Sequence, residues 1–118
     1  MTNSLERSDA ECAAVAKAPR VTLDDIKASI VAQYEFRANE AIAALGMPDD
    51  PNAGSPTSLL SICILVLGNG FTIIGKSACA SPQNFNRDLG RKLAYEDAIR
   101  QIWPLMGFAL KERLAREG

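Results

Sequence analysis

Two runs, residues 59–67 (LLSICILVL) and 71–79 (FTIIGKSAC), joined by Gly68-Asn69-Gly70, constrain this chain more than any other feature. Both are rich in β-branched and apolar residues, and Gly-Asn-Gly tolerates the positive φ that a tight turn demands. The pattern predicts an antiparallel β-hairpin. The first run is apolar at successive positions, so both of its faces need cover. A hairpin alone is marginal in water, which calls for helices or another subunit on each side and points to an oligomer. The 118 residues leave room for one domain, and 47% apolar with 23% charged residues is globular rather than disordered composition.

The flanks supply the helices. Residues 1–21 are polar and Ala-rich without a sustained period, and read as a flexible tail ahead of a single α+β domain over 22–118. Thr22 is placed to cap a helix, with Asp24 and Asp25 in its first turn. Ile26, Ile30, Tyr34, Ala38, Ala41, Ile42 and Leu45 then recur at helical spacing up to Gly46 and Pro48. Residues 47–58 hold three prolines and Gly54 among Asp, Asn and Ser, and form a loop. After Ser81-Pro82, Asn84 or Asn86 is placed to cap a helix running to Trp103, with Leu89, Leu93, Ala94, Ala98, Ile99 and Ile102 facing inward. Pro104 lacks an amide proton and is expected to start a second helix over 105–115. The expected fold is therefore α+β: an N-terminal helix, a central hairpin and two C-terminal helices.

Several chemistries are excluded by what the chain lacks. It has no histidine, so imidazole acid–base catalysis, His-based metal sites and Ser–His or Cys–His nucleophiles are absent. Cys12, Cys63 and Cys79 are odd in number and show no CxxC spacing, which fits neither a disulfide framework nor a zinc site. Glu96 and Asp97 are adjacent, and adjacent helical residues point about 100° apart, so they share neither a proton nor a metal. The string Gly70-Phe-Thr-Ile-Ile-Gly75-Lys76-Ser77 spells a P-loop. Its four inner residues prefer extended backbone, however, and no helix follows directly, so we reject that reading. The longest apolar run is too short to span a bilayer, and no signal-peptide pattern precedes it. We expect no enzyme, no cofactor and no metal.

What remains is an anion-attracting surface. Net charge is −1 overall, yet residues 1–50 carry five basic against nine acidic side chains, and residues 84–118 seven against five. That balance lacks the footprint of a duplex-DNA binder and suits a compact anion. Arg87 and Arg91 lie one turn apart in the first half of their helix, where exposed amides also favour anions. Lys76, Asn84 and Asn86 are placed to join them, and Phe71 or Phe85 to stack on a base. Arg100 is a further phosphate candidate, and Arg113 is placed to reach across from another subunit. The competing reading is a solvated face of long side chains, with Phe71 and Phe85 in the core.

Asn69-Gly70-Phe71-Thr72, Gly75, Ser77-Ala78-Cys79, Pro82, Asn84-Phe85, Gly90-Arg91, Ala94, Ala98, Ile102-Trp103-Pro104-Leu105 and the stretch 110–114 resemble a small "gene forty-nine" family of tailed-phage proteins. The resemblance covers residues 22–114, and Lys76 departs from an often acidic position in that family. The chain also resembles the first type of phage Thoeris anti-defence proteins, relatives of that family. Those proteins sequester cyclic ADP-ribose isomers from bacterial TIR-domain enzymes without cleaving them, and related members hold cyclic oligonucleotides of CBASS immunity. The resemblance implies a homo-oligomer, dimer or hexamer, with pockets at subunit interfaces and a place of action in the host cytoplasm. The alternative left open is a phage structural or regulatory interaction module with no small-molecule ligand.

Overall fold

The computed structural model describes residues 4–118; the first three residues of the expected tail lie outside the described residues. In chain order it forms α1 (Ser4–Val15), α2 (Leu23–Ser29), β1 (Ile30–Arg37), α3 (Ala38–Ala44), β2 (Leu60–Leu67), β3 (Thr72–Ala78) and α4 (Arg87–Glu117). Short 3-10 turns occupy Pro56–Leu59 and Pro82–Asn84. The α+β class holds, and β2 and β3 form the antiparallel hairpin, with Gly70 at φ +89° in its turn.

Three expectations need correction. The single helix over 22–45 is instead α2, a strand and α3. Thr22 does cap α2, its hydroxyl accepting from the Asp25 amide at 3.0 Å while the Asp25 carboxylate accepts from the Thr22 amide at 2.9 Å. But β-branched Ile30 and Val31, followed by alternating Tyr34 and Phe36, pair antiparallel with β2 and complete a sheet of order β1-β2-β3. Pairing supplies β2 with hydrogen bonds on both edges, which outweighs a helical period that the same residues also satisfy.

The second correction is that Pro104 does not divide the C-terminal section; α4 runs through it. Proline removes the partner of the Arg100 carbonyl four residues earlier, but both residues lie on the exposed side, where water takes that role. Asn86, not Asn84, caps the helix, accepting from the Leu89 amide at 2.9 Å. Ala94, Ala98, Ile99 and Ile102 are buried as expected, whereas Leu89 and Leu93 are exposed. Third, most of the segment read as a tail is helical. In α1, Leu5 is buried and Asp9 ties Arg20 (2.9 Å) and the Leu23 amide (3.0 Å) to the helix.

The core lies between α4 and one face of the sheet. Cys63, Leu65, Leu67 and Ile73 meet Ala94, Ala98, Ile99 and Ile102, with Leu23 and Ile26 closing one end. The α4 axis comes so near β3 that a Cβ on Gly75 would stand 2.1 Å from the Ala94 carbonyl oxygen. The same helix seals the outer edge of β3: Asp97 accepts from the Lys76 amide at 3.0 Å, and Gln101 donates to the Ile74 carbonyl at 2.7 Å. These two bonds occupy the middle of the outer β3 edge and leave less of it for another strand. On the opposite face of the sheet, Tyr34, Ile64 and Ile74 form one cross-strand row, and Tyr34 (57%) and Ile74 (61%) stand open to solvent. No described helix is long and apolar enough to cross a membrane.

Candidate functional site

The end of β1, the start of α3 and the first turns of α4 converge on one polar cavity. Strand alternation decides which side chains enter it. Arg37, Ser61 and Ser77 form one cross-strand row, and Glu35, Cys63 and Gly75 the next. Both rows face α4, because Gly75 lies beneath Ala94 and Ala98. Arg87 and Arg91, four apart on α4, stand over the same corner. The cavity is about 170 Å³, lined by Glu35, Phe36, Arg37, Glu40, Ser61, Arg87 and Arg91.

Three guanidiniums and two carboxylates interlock there. One oxygen of Glu40, Oε1, accepts from the Arg37 amide (3.1 Å), Arg37 Nε (3.2 Å) and Arg87 Nη2 (3.4 Å). Arg91 Nε donates to Glu35 Oε2 at 2.6 Å. The amide of Arg37, with help from its guanidinium and that of Arg87, holds the Glu40 carboxyl below its ordinary value against the opposing effect of burial. Glu35 raises Arg91 through the hydrogen bond and through charge. Arg37 also lies over the Phe85 ring, 5.6 Å from its centre, which fixes the guanidinium plane. Three positive and two negative groups line the corner, and the charge of Asp88 also reaches Arg91.

Ser61 lines this cavity and also the neighbouring apolar one, beside Gly90 and Phe85. It is 2% exposed, and its Oγ has no hydrogen-bond partner. Gly90 makes this closeness feasible, since a Cβ there would stand 2.5 Å from that oxygen. A buried hydroxyl without a partner costs about 1–3 kcal/mol, so its retention calls for an explanation.

Of the residues singled out from sequence, Arg87 and Arg91 meet here, with Phe85 and the cap Asn86 beside them. Asn84 and Asn86 instead line a smaller, mainly apolar cavity with Phe85, Leu89 and Leu93. The other candidates lie apart. Phe71 is exposed at the hairpin turn, at the opposite end of β3 from Phe85. Lys76 belongs to the cross-strand row of Ile62 and Phe36 and projects from the sheet face away from α4. Arg100 donates to Ser4 Oγ at 2.6 Å and stands 3.8 Å from Glu96. Arg113 pairs with Glu117 (3.8 Å) and lines a separate groove with Arg20, Asp25 and Met106. Sequence reasoning missed Arg37, Glu35, Glu40 and Ser61. The first three fell inside the segment read as one helix, whereas Ser61 carried a signal, as the one hydroxyl in a nine-residue apolar run.

The guanidinium donors of the corner match the oxygens of an oxyanion. Cys63 is buried, and burial, followed by the charge of Glu35, pushes its thiol up to about 11, far from a reactive thiolate. Glu96 and Asp97 diverge as adjacent helical residues should: Glu96 is buried near Lys92 and Arg100, while Asp97 caps the β3 edge. The P-loop spelling lies in the hairpin, almost all of it on β3. Residues 21–114, which hold every element of the sheet and all of the cavity, match the phage protein family described as N4 Gp49/phage Sf6 gene 66. The chain belongs to that family. Membership agrees with the tailed-phage resemblance carried by the hairpin and α4, and says nothing about ligand or activity. Neither curated proteins nor solved structures gave a match to this member of the Gp49 family.

Proposed function

We propose that this Gp49-family protein is a non-catalytic phage anti-defence protein acting in the host cytoplasm. It captures cyclic nucleotide immune signals, cyclic ADP-ribose isomers and cyclic oligonucleotides, and withholds them intact. The observation that carries the reading is the convergence of Arg37, Arg87 and Arg91 on one cavity that Ser61 also lines. Guanidiniums match phosphate oxygens with paired donors, and a serine lining the cavity adds a further donor. Phe85, already beneath Arg37, extends the stack towards a base.

Size supports an assembly. Ligand-enclosing sites run to about 300–1,000 Å³, against about 170 Å³ here, so one chain holds a phosphate group and leaves the rest of a dinucleotide exposed. Nanomolar capture needs roughly −12 kcal/mol, which at about −0.3 kcal/mol per atom requires enclosing most of a ligand of that size. A second copy closing over the corner supplies that enclosure, and exposed Phe71 or Arg113 of a neighbour is available to complete it.

The deciding experiment purifies the protein from cells producing such a signal and releases bound material by heat for mass spectrometry. Unchanged cyclic nucleotide is expected, with calorimetric affinity lost in Arg87→Ala and Arg91→Ala. A converted product would indicate an enzyme. One observation favours a second reading: the open row of Tyr34, Ile64 and Ile74 is the kind of apolar surface a protein partner covers. A structural or regulatory module would release no nucleotide, and a pull-down would enrich one protein.

A further inference from the structure

The three guanidiniums are not bare in the chain as it stands. Glu40 accepts from Arg37 and Arg87 through a single oxygen, and Glu35 accepts from Arg91 at 2.6 Å. Without these acceptors, three like charges around a cavity of about 170 Å³ would repel and splay into solvent. A carboxylate offers a guanidinium the same planar pair of acceptors that a phosphate does. Neither carboxylate bonds the Ser61 hydroxyl, whose oxygen is buried without a partner against Gly90, on a residue that lines the cavity.

We propose that Glu35 and Glu40 are resident counter-anions, which keep Arg37, Arg87 and Arg91 converged until an incoming phosphate-type oxyanion takes their place. This rests on the anion-binding reading above and deepens it. Capture is then an exchange, in which the carboxylates swing out as the phosphate enters. The ligand wins by offering what the glutamates do not: more charge, tetrahedrally placed oxygens, and an acceptor within reach of Ser61 Oγ. The exchange disfavours simple carboxylates, which only reproduce the resident contacts, and selects phosphodiesters and pyrophosphates. It also explains how so small a domain keeps a cationic cavity folded when empty of ligand.

The test uses inorganic pyrophosphate as probe, titrated into the full chain and followed by the arginine side-chain Nε–H resonances. Glu40→Gln and Glu35→Gln each remove one competing charge and leave an isosteric oxygen. At position 40 that oxygen still accepts from the Arg37 amide, so the start of α3 persists. Each variant should bind pyrophosphate roughly three- to tenfold more tightly than the parent chain. A merely structural role for either glutamate would leave affinity unchanged or weaken it. If the parent binds, Arg91→Ala loses binding and both glutamine variants match the parent, the exchange is wrong while the anion site stands. If no variant binds pyrophosphate, both readings fall together.

Discussion

Ser61 and Gly75 make opposite predictions for stability. The Ser61 hydroxyl is buried without a partner, so removing it should cost the fold nothing. Ser61→Ala is expected to leave denaturant stability unchanged or raise it by up to about 1 kcal/mol, while weakening phosphate-type ligands several-fold. A loss of more than about 1 kcal/mol in urea unfolding would mean that the hydroxyl has a structural partner. Gly75 is the opposite case. A Cβ there meets the Ala94 carbonyl oxygen at 2.1 Å and the Ala98 amide nitrogen at 2.6 Å. Both are backbone atoms of α4 and cannot rotate aside, so the helix must lift from the sheet. Gly75→Ala should therefore lose about 3 kcal/mol or more, seen as a large fall in Tm. Both residues were visible in the sequence, one as a hydroxyl in an apolar run and one as a glycine inside a strand. Their partners were not, because neither contact is implied until the register of β2 and the placement of α4 are known.

Elements were legible where local chemistry and tertiary pairing agree. The hairpin turn, the Thr22 and Asn86 caps and the loop over 47–58 follow from side chains that act within a few residues of themselves. Residues 30–37 were not legible, since Ile30, Tyr34 and Ala38 satisfy a helical period while Gln33/Glu35 against Tyr34/Phe36 satisfy a strand. The free edge of β2 decided between them, and with that strand went Arg37 and Glu35, two of the five charged residues of the corner. The order found in α1 has a testable electrostatic basis. Asp9 is held below its ordinary value chiefly by its hydrogen bond from Arg20, then by the Leu23 amide, and Asp25 is lowered by the Thr22 amide. Carboxyls lowered on folding bind protons more readily in the unfolded chain, so stability falls as pH falls. Their contribution is complete above the ordinary aspartate value of 3.8 and is lost as pH drops through the lower folded values. Amide exchange on α1 and at the start of α2 should speed up as pH is lowered through 4 and below, after correction for intrinsic rates. Asp9→Asn should show the faster α1 exchange already at neutral pH and lose most of that pH dependence.

At the scale of the whole molecule, the two faces of the sheet have unequal fates. α4 covers one and closes the β3 edge through Asp97 and Gln101, while the other presents Tyr34, Ile64 and Ile74 with no described element over them. That closes one edge of the sheet; β1, paired only with β2, forms the other, beside the same apolar face. That the first hairpin strand is apolar on both faces was readable from its sequence; which face α4 would take was not, since it depends on Gly75 and the alanines packed against it. The small cavity and the open face together lead to one experiment. Ile74→Lys puts a charge on the exposed row without touching the core, so the fold and melting temperature should persist. If copies assemble through this face, sedimentation should fall to a single 12.7 kDa chain. That row lies on the sheet face opposite the arginine corner, so ligand capture should weaken in the same variant only where assembly through this face also brings a second copy over the corner. A variant that stays monomeric yet captures cyclic nucleotide at full strength would show that one copy encloses its ligand, and the assembly argument drawn from cavity size would fail.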